Sequence, residues 1–230
     1  MNHALDNPVW HALIGPHANV SIGRGNARHY PRDIAPFSAI AEPSAAAYAD
    51  LAHDLPVGLE ARLFRPADEP APIGWQTVSA RPIVQMVADD IATPRGGFLD
   101  EPAVLGVDDT KRMLELADIA KPGPFGARAS LLGRYIGYRD GNRLLAMGGE
   151  RFHLPGFVEL SAISVHPDAR GRGLGSAITQ QLRRLALARG ETPFLHVFPD
   201  NPAIALYRRL GFRERAHLWV IWRRIVAPMR

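Results

Sequence analysis

The 230-residue chain contains no cysteine, which removes disulfides, thiolate metal sites and a cysteine nucleophile together. Lysine is nearly missing as well. Of the 27 basic residues only Lys111 and Lys121 are lysines, so the positive charge is almost entirely arginine. No run of five or six basic residues occurs. The net charge of +4 and the isoelectric point near 9.8 therefore lack the clustering of a nucleic-acid surface, although a small polyanionic ligand suits the same charge. No stretch reaches the roughly 18 uninterrupted apolar residues of a membrane span. The opening MNHALDNPVWHALIG has no basic segment ahead of an apolar core of the kind that directs secretion. These absences predict a cytoplasmic protein without nucleic-acid or membrane partners. The nine histidines show no metal-ligand spacing, so no metal is expected.

An apolar fraction of 47% with 22% charged residues is that of a globular chain able to bury a substantial core. Residues 43–55, PSAAAYADLAHDL, read as a helix that Pro43 and Ser44 open. Residues 59–65 and 83–89 read as short strands around a proline-rich loop, and 92–108 reads as a loop or linker. That linker places a division near residue 100. Residues 1–100 are then an N-terminal α/β region and residues 101–230 a second domain. The second part predicts a helix over 108–120, a hairpin centred on Asp140-Gly141, and a strand over 157–165. After it come a helix ending at Gly190, a strand over 193–198, a helix from Asn201 to Gly211 and one or two final strands.

The most informative stretch is SVHPDARGRGLGSAIT, residues 164–179. An apolar strand, then glycines, then a helix is the arrangement by which the free N–H groups and dipole of a helix N-terminus hold an anion. The dinucleotide fingerprint requires G-x-G-x-x-G, whereas Gly171, Gly173 and Gly175 recur at every second position and Ser176 stands where the third glycine belongs. No Gly-Lys-Ser/Thr follows, which removes the P-loop. Alone, the stretch is equally a flexible strand-to-helix loop.

The run Arg170-Gly171-Arg172-Gly173-Leu174-Gly175 resembles the Arg/Gln-x-x-Gly-x-Gly/Ala pyrophosphate motif of the GCN5-related N-acetyltransferase (GNAT) superfamily. Downstream, Asn201 and Tyr207 in DNPAIALYRRLGF resemble that family's helix with its Y-x-x-x-G-F ending. The wording AMGGERFHLPGFVELSAISVHPDARGRGLG is similar to the subgroup with a glycine N-acyltransferase-like C-terminal domain. The resemblance implies a mixed, mostly antiparallel α/β sheet flanked by helices over residues 101–230, with the N-terminal α/β region of residues 1–100 added to it, which in that subgroup can be a diverged acetyltransferase-like half. It also implies acetyl-CoA as co-substrate and a small-molecule, amino-acid or peptide amine as acceptor, in a monomer or homodimer. Direct attack through a tetrahedral intermediate is the expected reaction. A longer acyl-CoA, or a non-catalytic CoA-binding regulatory module, stands as the alternative.

By the same resemblance, Ile163, Ser164 and Val165 offer backbone groups to the pantetheine arm, and Arg170, Gly171, Arg172, Gly173, Leu174, Gly175 and Ser176 hold the pyrophosphate. Asn201 contacts the arm, and Tyr207 gives a proton to the leaving thiolate. From the residues themselves, strand alternation puts Glu159 on the face of Ser161 and Ile163, which makes it a candidate base, with Glu150 and His153 as competitors. The acceptor pocket is expected from the N-terminal region, the 121–135 connection and the final strands. Trp219, Trp222 and Trp75 are candidates for its wall, although such aromatics are more often core.

Overall fold

The computed structural model describes residues 3–55, 58–88 and 101–226. The N-terminal part comprises α1 (Pro8–Leu13), β1 (Ala27–His29), β2 (Ser38–Ile40), α2 (Ala45–Asp54), β3 (Glu60–Arg65) and β4 (Trp75–Val87). There follow β5 (Ala103–Leu105), α3 (Thr110–Ala120), β6 (Tyr135–Asp140), β7 (Arg143–Leu154) and β8 (Phe157–Val165). The chain closes with α4 (Leu174–Ala188), β9 (Thr192–Val197), α5 (Ala203–Arg209) and β10 (Arg213–Ile225). Eight strands form one sheet in the order β3-β10-β4-β9-β8-β7-β6-β5. Every junction is antiparallel except β8–β9. This is the mixed, mostly antiparallel sheet flanked by helices that the sequence predicts.

Local chemistry explains the boundaries. Ser44 opens α2 by accepting the Ala47 N–H at 3.2 Å, which satisfies one orphan donor of the first turn. Asp140 pairs with Arg143, so the hairpin turns on Gly141-Asn142, one residue later than expected. The strand expected over 83–89 begins at Trp75 instead and runs through Pro82. Proline survives there because β9 pairs only with Val84–Val87 of β4, leaving the segment around Pro82 with β10 as its single neighbour. Of the expected 92–108 loop, residues 92–100 lie outside the described residues, and Ala103–Leu105 is the edge strand β5.

The sheet is covered on both faces. Ile178, Leu182 and Ala186 of α4 recur at helical spacing and are fully buried against Val84, Met86, Leu160 and Leu195, where each large side chain contributes about 1.5–3 kcal/mol. On the opposite face Val9, Ala12 and Leu13 of α1 pack on Phe64, Ile83, Phe152 and Val220. Residues 60–87 thus supply strands to the same sheet as residues 135–225: β4 lies between β9 and β10, and β3 extends β10. A division of the chain at residue 100 leaves strands of this one sheet in both parts.

Candidate functional site

The parallel pair β8–β9 is joined only at Phe157–Thr192, Val158–Pro193 and Glu159–Phe194. Beyond Glu159 the strands part, and their facing edges have no strand partner. A cavity of about 630 Å³ occupies the gap. Consecutive residues line it on both strands, Leu160 to Ile163 on one and Leu195 to Val197 on the other, with Phe198 beyond. Because strand side chains alternate between faces, such a wall means that the cavity follows strand edges and passes through the sheet. At the α4 face it meets Asn201, Ala203 and Tyr207. At the opposite face it broadens between Arg62 and Phe64 of β3, Ser79 and Arg81 of β4, Trp222 of β10, and the Lys121–Pro124 turn after α3.

A bulge aims β8. Met147 pairs with Ser164 and Gly149 with Ser161, so β8 carries one extra residue there, and Ala162 takes φ 54°, a left-handed conformation that costs an alanine of order 1 kcal/mol or more. The bulge corrects the expected alternation. Ile163 packs with Leu160 toward α4, whereas the side chain of Glu159 bonds Arg151 and His196, which meet the aromatic rings Phe37 and Phe64 of the opposite face. A second bulge, in β7 between Glu150 and His153, places Arg151 opposite Glu159.

Glu159 is fully buried and spends both oxygens. Arg151 donates to them from Nε at 2.6 Å and from a terminal nitrogen at 2.7 Å, and His196 Nδ1 lies 2.6 Å from Oε1. Against the cost of burial, the Arg151 charge and these bonds hold the carboxyl down to about 2. A carboxylate so held has little proton affinity left for an acceptor amine and does not line the cavity, which corrects its expected role as base. Glu159 is a positioning residue, holding Arg151 and His196 in the cavity wall. The competitors fare no better. Glu150 accepts from Arg189 at 2.7 Å and from the Arg134 N–H at 3.1 Å and is also held near 2, with burial opposing and His153, Arg189 and Arg134 prevailing. Neither Glu150 nor His153 lines the cavity.

His196 has its other nitrogen 3.0 Å from Gln85 Nε2, and Gln85 in turn binds Leu5 O at 2.9 Å and Arg215 at 2.9 Å. Since Gln85 Nε2 can only donate, His196 accepts there and carries its proton on Nδ1 toward Glu159. Sequence reasoning missed both His196 and Arg151. The available signal was a single histidine inside the apolar run PFLHVF.

Tyr207 lies on α5 in the cavity wall, edge-on to Phe212 with ring centroids 6.0 Å apart. Burial alone pushes its hydroxyl up to about 12, so it is protonated at neutral pH. Asn201 also lines the cavity and accepts the Ala203 N–H at 2.9 Å, although the N-cap of α5 is Pro202, one residue later than expected. Of the residues expected along the β8 edge, Ile163 lines the cavity. Ser164 is buried and donates to Ala162 O at 3.0 Å, while Val165 pairs with Ala146. Arg170 to Ser176 lie outside the cavity wall. They form a turn in which Gly171 and Gly173 take φ 77° and 78°. Gly173 is the N-cap of α4 and brings no side-chain cap, so the first-turn N–H groups point outward without a side-chain acceptor. Arg170 and Arg172 are exposed beside them. Of the three candidate tryptophans, Trp222 lines the cavity, Trp219 does not, and Trp75 is core against Tyr48.

A crystal structure from Novosphingobium aromaticivorans assigned to the GNAT family of acetyltransferases is 33% identical and superposes with a TM-score of 0.89, covering 98% of this chain and 100% of that one. The chain belongs to the GNAT family. Within it, residues 135–220 match the family model described as FR47-like protein. A GCN5-like protein acetyltransferase of Mycobacterium tuberculosis is 32% identical over 150 residues, 61% of this chain and 65% of that protein. A mycothiol acetyltransferase of Geodermatophilus obscurus is 40% identical over 96 residues, 37% of this chain. The chain spans only 30% of that enzyme's length. Among the described residues no helix is long and apolar enough to cross a membrane.

Proposed function

We propose that this GNAT protein transfers the acetyl group of acetyl-CoA to the primary amine of a small molecule or amino acid, by direct attack through a tetrahedral intermediate. The observation that carries the reading is the cavity through the parted β8 and β9 strands, with a protonated tyrosine in its wall. The uncapped N-terminus of α4 fits a pyrophosphate, because outward N–H donors and the helix dipole favour an anion. Arg170 and Arg172 add charge beside it. The unpaired β8 edge around Ile163 suits an extended amide-bearing arm, as a further strand would. The glycine N-acyltransferase-like wording supports a small acceptor, and the relatives' names support acetyl as the group transferred. In this reading residues 101–230 carry the donor side, and residues 1–100 complete the acceptor side.

Acetyl transfer forms a C–N bond and breaks a C–S bond. The amine nitrogen adds to the thioester carbonyl, and a backbone N–H of the parted strand steadies the oxyanion. As the C–S bond breaks, Tyr207 gives its hydroxyl proton to the sulfur and recovers one from the nitrogen, so free thiol and amide leave with the protein unchanged. Tyr207→Phe is expected to lower kcat by about 10²–10⁴-fold, while CoA still raises the melting temperature. An unchanged kcat in Tyr207→Phe overturns the assignment of the acid. CoA binding without thiol release from any amine leaves a binding module, and faster turnover of a longer acyl-CoA redirects the donor.

A further inference from the structure

At the end of the cavity built by β3, β4 and β10, Arg62 has no ion pair or hydrogen bond with a carboxylate among the described residues. Arg62, Trp222 and Ser79 form one cross-strand row, Trp222 pairing with Arg62 on β3 and with Ser79 on β4, and all three line the cavity. The Arg62 guanidinium lies 4.1 Å over the Trp222 ring. Its Nε is buried without a hydrogen-bond partner. Glu60, two residues away, pairs with Arg224 at 2.8 Å instead, and among the described residues the cavity wall contains neither Asp nor Glu. The remaining cations in the wall are engaged. Arg151 is held by Glu159, Lys121 by Asp118, and Arg81 lies 4.1 Å over Phe198 and 3.9 Å from Asp200. Burial accordingly lowers the Arg62 pKa, against the attraction of Glu60.

We propose that Arg62, seated on Trp222 beside Ser79, binds an anionic oxygen group, carboxylate or phosphate, on the acceptor amine. The guanidinium's planar fork matches either group, and the Trp222 ring fixes the plane of the fork. This inference deepens the acetyl-transfer reading and rests on it for the position of the amine. Val197, at the parted strands, pairs with Val84. Ser79 is five residues earlier on β4, about 16 Å along the strand. The acceptor therefore carries its amine and its anion at opposite ends, unlike an α-amino acid, in which both groups share one carbon.

The test compares the full-length protein and Arg62→Gln with acetyl-CoA on 6-aminohexanoate, 5-aminopentylphosphonate and hexylamine. The expected result is a kcat/KM for at least one anionic acceptor about 10- to 100-fold above that of hexylamine. In Arg62→Gln this ratio collapses toward one, chiefly through KM, and Arg62→Lys restores part of it. The ranking of carboxylate against phosphonate identifies the anion. Hexylamine acetylated as well as both anionic acceptors overturns the anion site and leaves the transferase reading intact. Should no amine be acetylated, titration with hexanoate or pentylphosphonate against tryptophan fluorescence decides separately. A saturable change that disappears in both Arg62→Gln and Trp222→Phe supports the site, and no change in the native protein overturns it.

Discussion

At the end of the cavity nearer α4 and α5 the wall that would meet a ligand is largely backbone. It consists of the free edge of β8 beyond Glu159, with Tyr207 as the principal reactive side chain, while the turn into the uncapped α4 lies outside the wall. At the other end the wall is made of side chains, Arg62, Phe64, Arg81 and Trp222, delivered by the consecutive strands β3 and β4 and the sequence-distant β10. Backbone recognition depends on where the chain goes, and many side chains tolerate the same path. Side-chain recognition depends on identity. The difference teaches which substitutions change ligand choice and which change the fold or the chemistry.

The largest expected effect falls between the two ends, at the buried group that holds both in register. Glu159→Gln leaves Arg151 without its charge partner and weakens the bond to His196. Breaking a buried pair from one side costs about 3–5 kcal/mol. Urea unfolding should register that loss, and a loss below 1 kcal/mol would show that water or another group replaces the carboxylate. Acid probes the same group without mutation. Its folded pKa, about 2, lies below that of an exposed glutamate, so the unfolded chain takes up the proton first. The contribution is complete above about pH 4.5 and is lost as pH falls toward 2. Glu150, also near 2, adds to the same slope. Replacing Glu159 should flatten the stability profile between pH 4.5 and 2, and a slope unchanged in Glu159→Gln would assign it to other carboxylates.

The same contrast decides how much could be read from sequence. The strand–glycine–helix order, the Asp140 hairpin, the helix over 108–120 and the helix ending at Gly190 were legible because each is a local pattern of period, cap and turn. The Ser44 start of α2 was legible for the same reason. Placing β4 between β9 and β10 was not, since that choice depends on pairings between residues more than 100 positions apart. The face of Ile163 relative to Glu159 was misread because alternation assumes an unbroken strand, and one extra residue at Ala162 reverses which face follows. The acceptor wall was foreseen only as a region. Trp222 and Arg62 meet across β10 and β3, and nothing in the local run around either residue announces the other.

A smaller effect is expected in the backbone-built end. Gly173→Ala places a Cβ where nothing lies within 4 Å, so crowding is not the cost. The cost is φ 78°, a left-handed conformation that disfavours alanine by about 1–2 kcal/mol. Thermal unfolding of the free protein should show that loss together with weaker CoA binding, because a shifted N-cap re-aims the first N–H groups of α4. Native-like stability in Gly173→Ala would mean that the turn tolerates another path.

Gly175→Ala separates the fold from the ligand, and its effect on the free protein is the smallest. Gly175 is the second residue of α4 and has no left-handed φ. An added Cβ would touch Val165 Cγ2 at 3.4 Å, an ordinary contact. Alanine is the better helix former by up to about 1 kcal/mol, and less than that at a helix end, so the free protein should melt slightly higher. If this glycine exists to let a pyrophosphate approach the backbone closely, the same substitution should raise the Kd for CoA several-fold. Kinetics would then show a higher KM for acetyl-CoA at a kcat close to the parent's. A variant both more stable and tighter-binding would show that Gly175 clears no space for the ligand, and would confine the anion contact to the N–H groups that Gly173 aims.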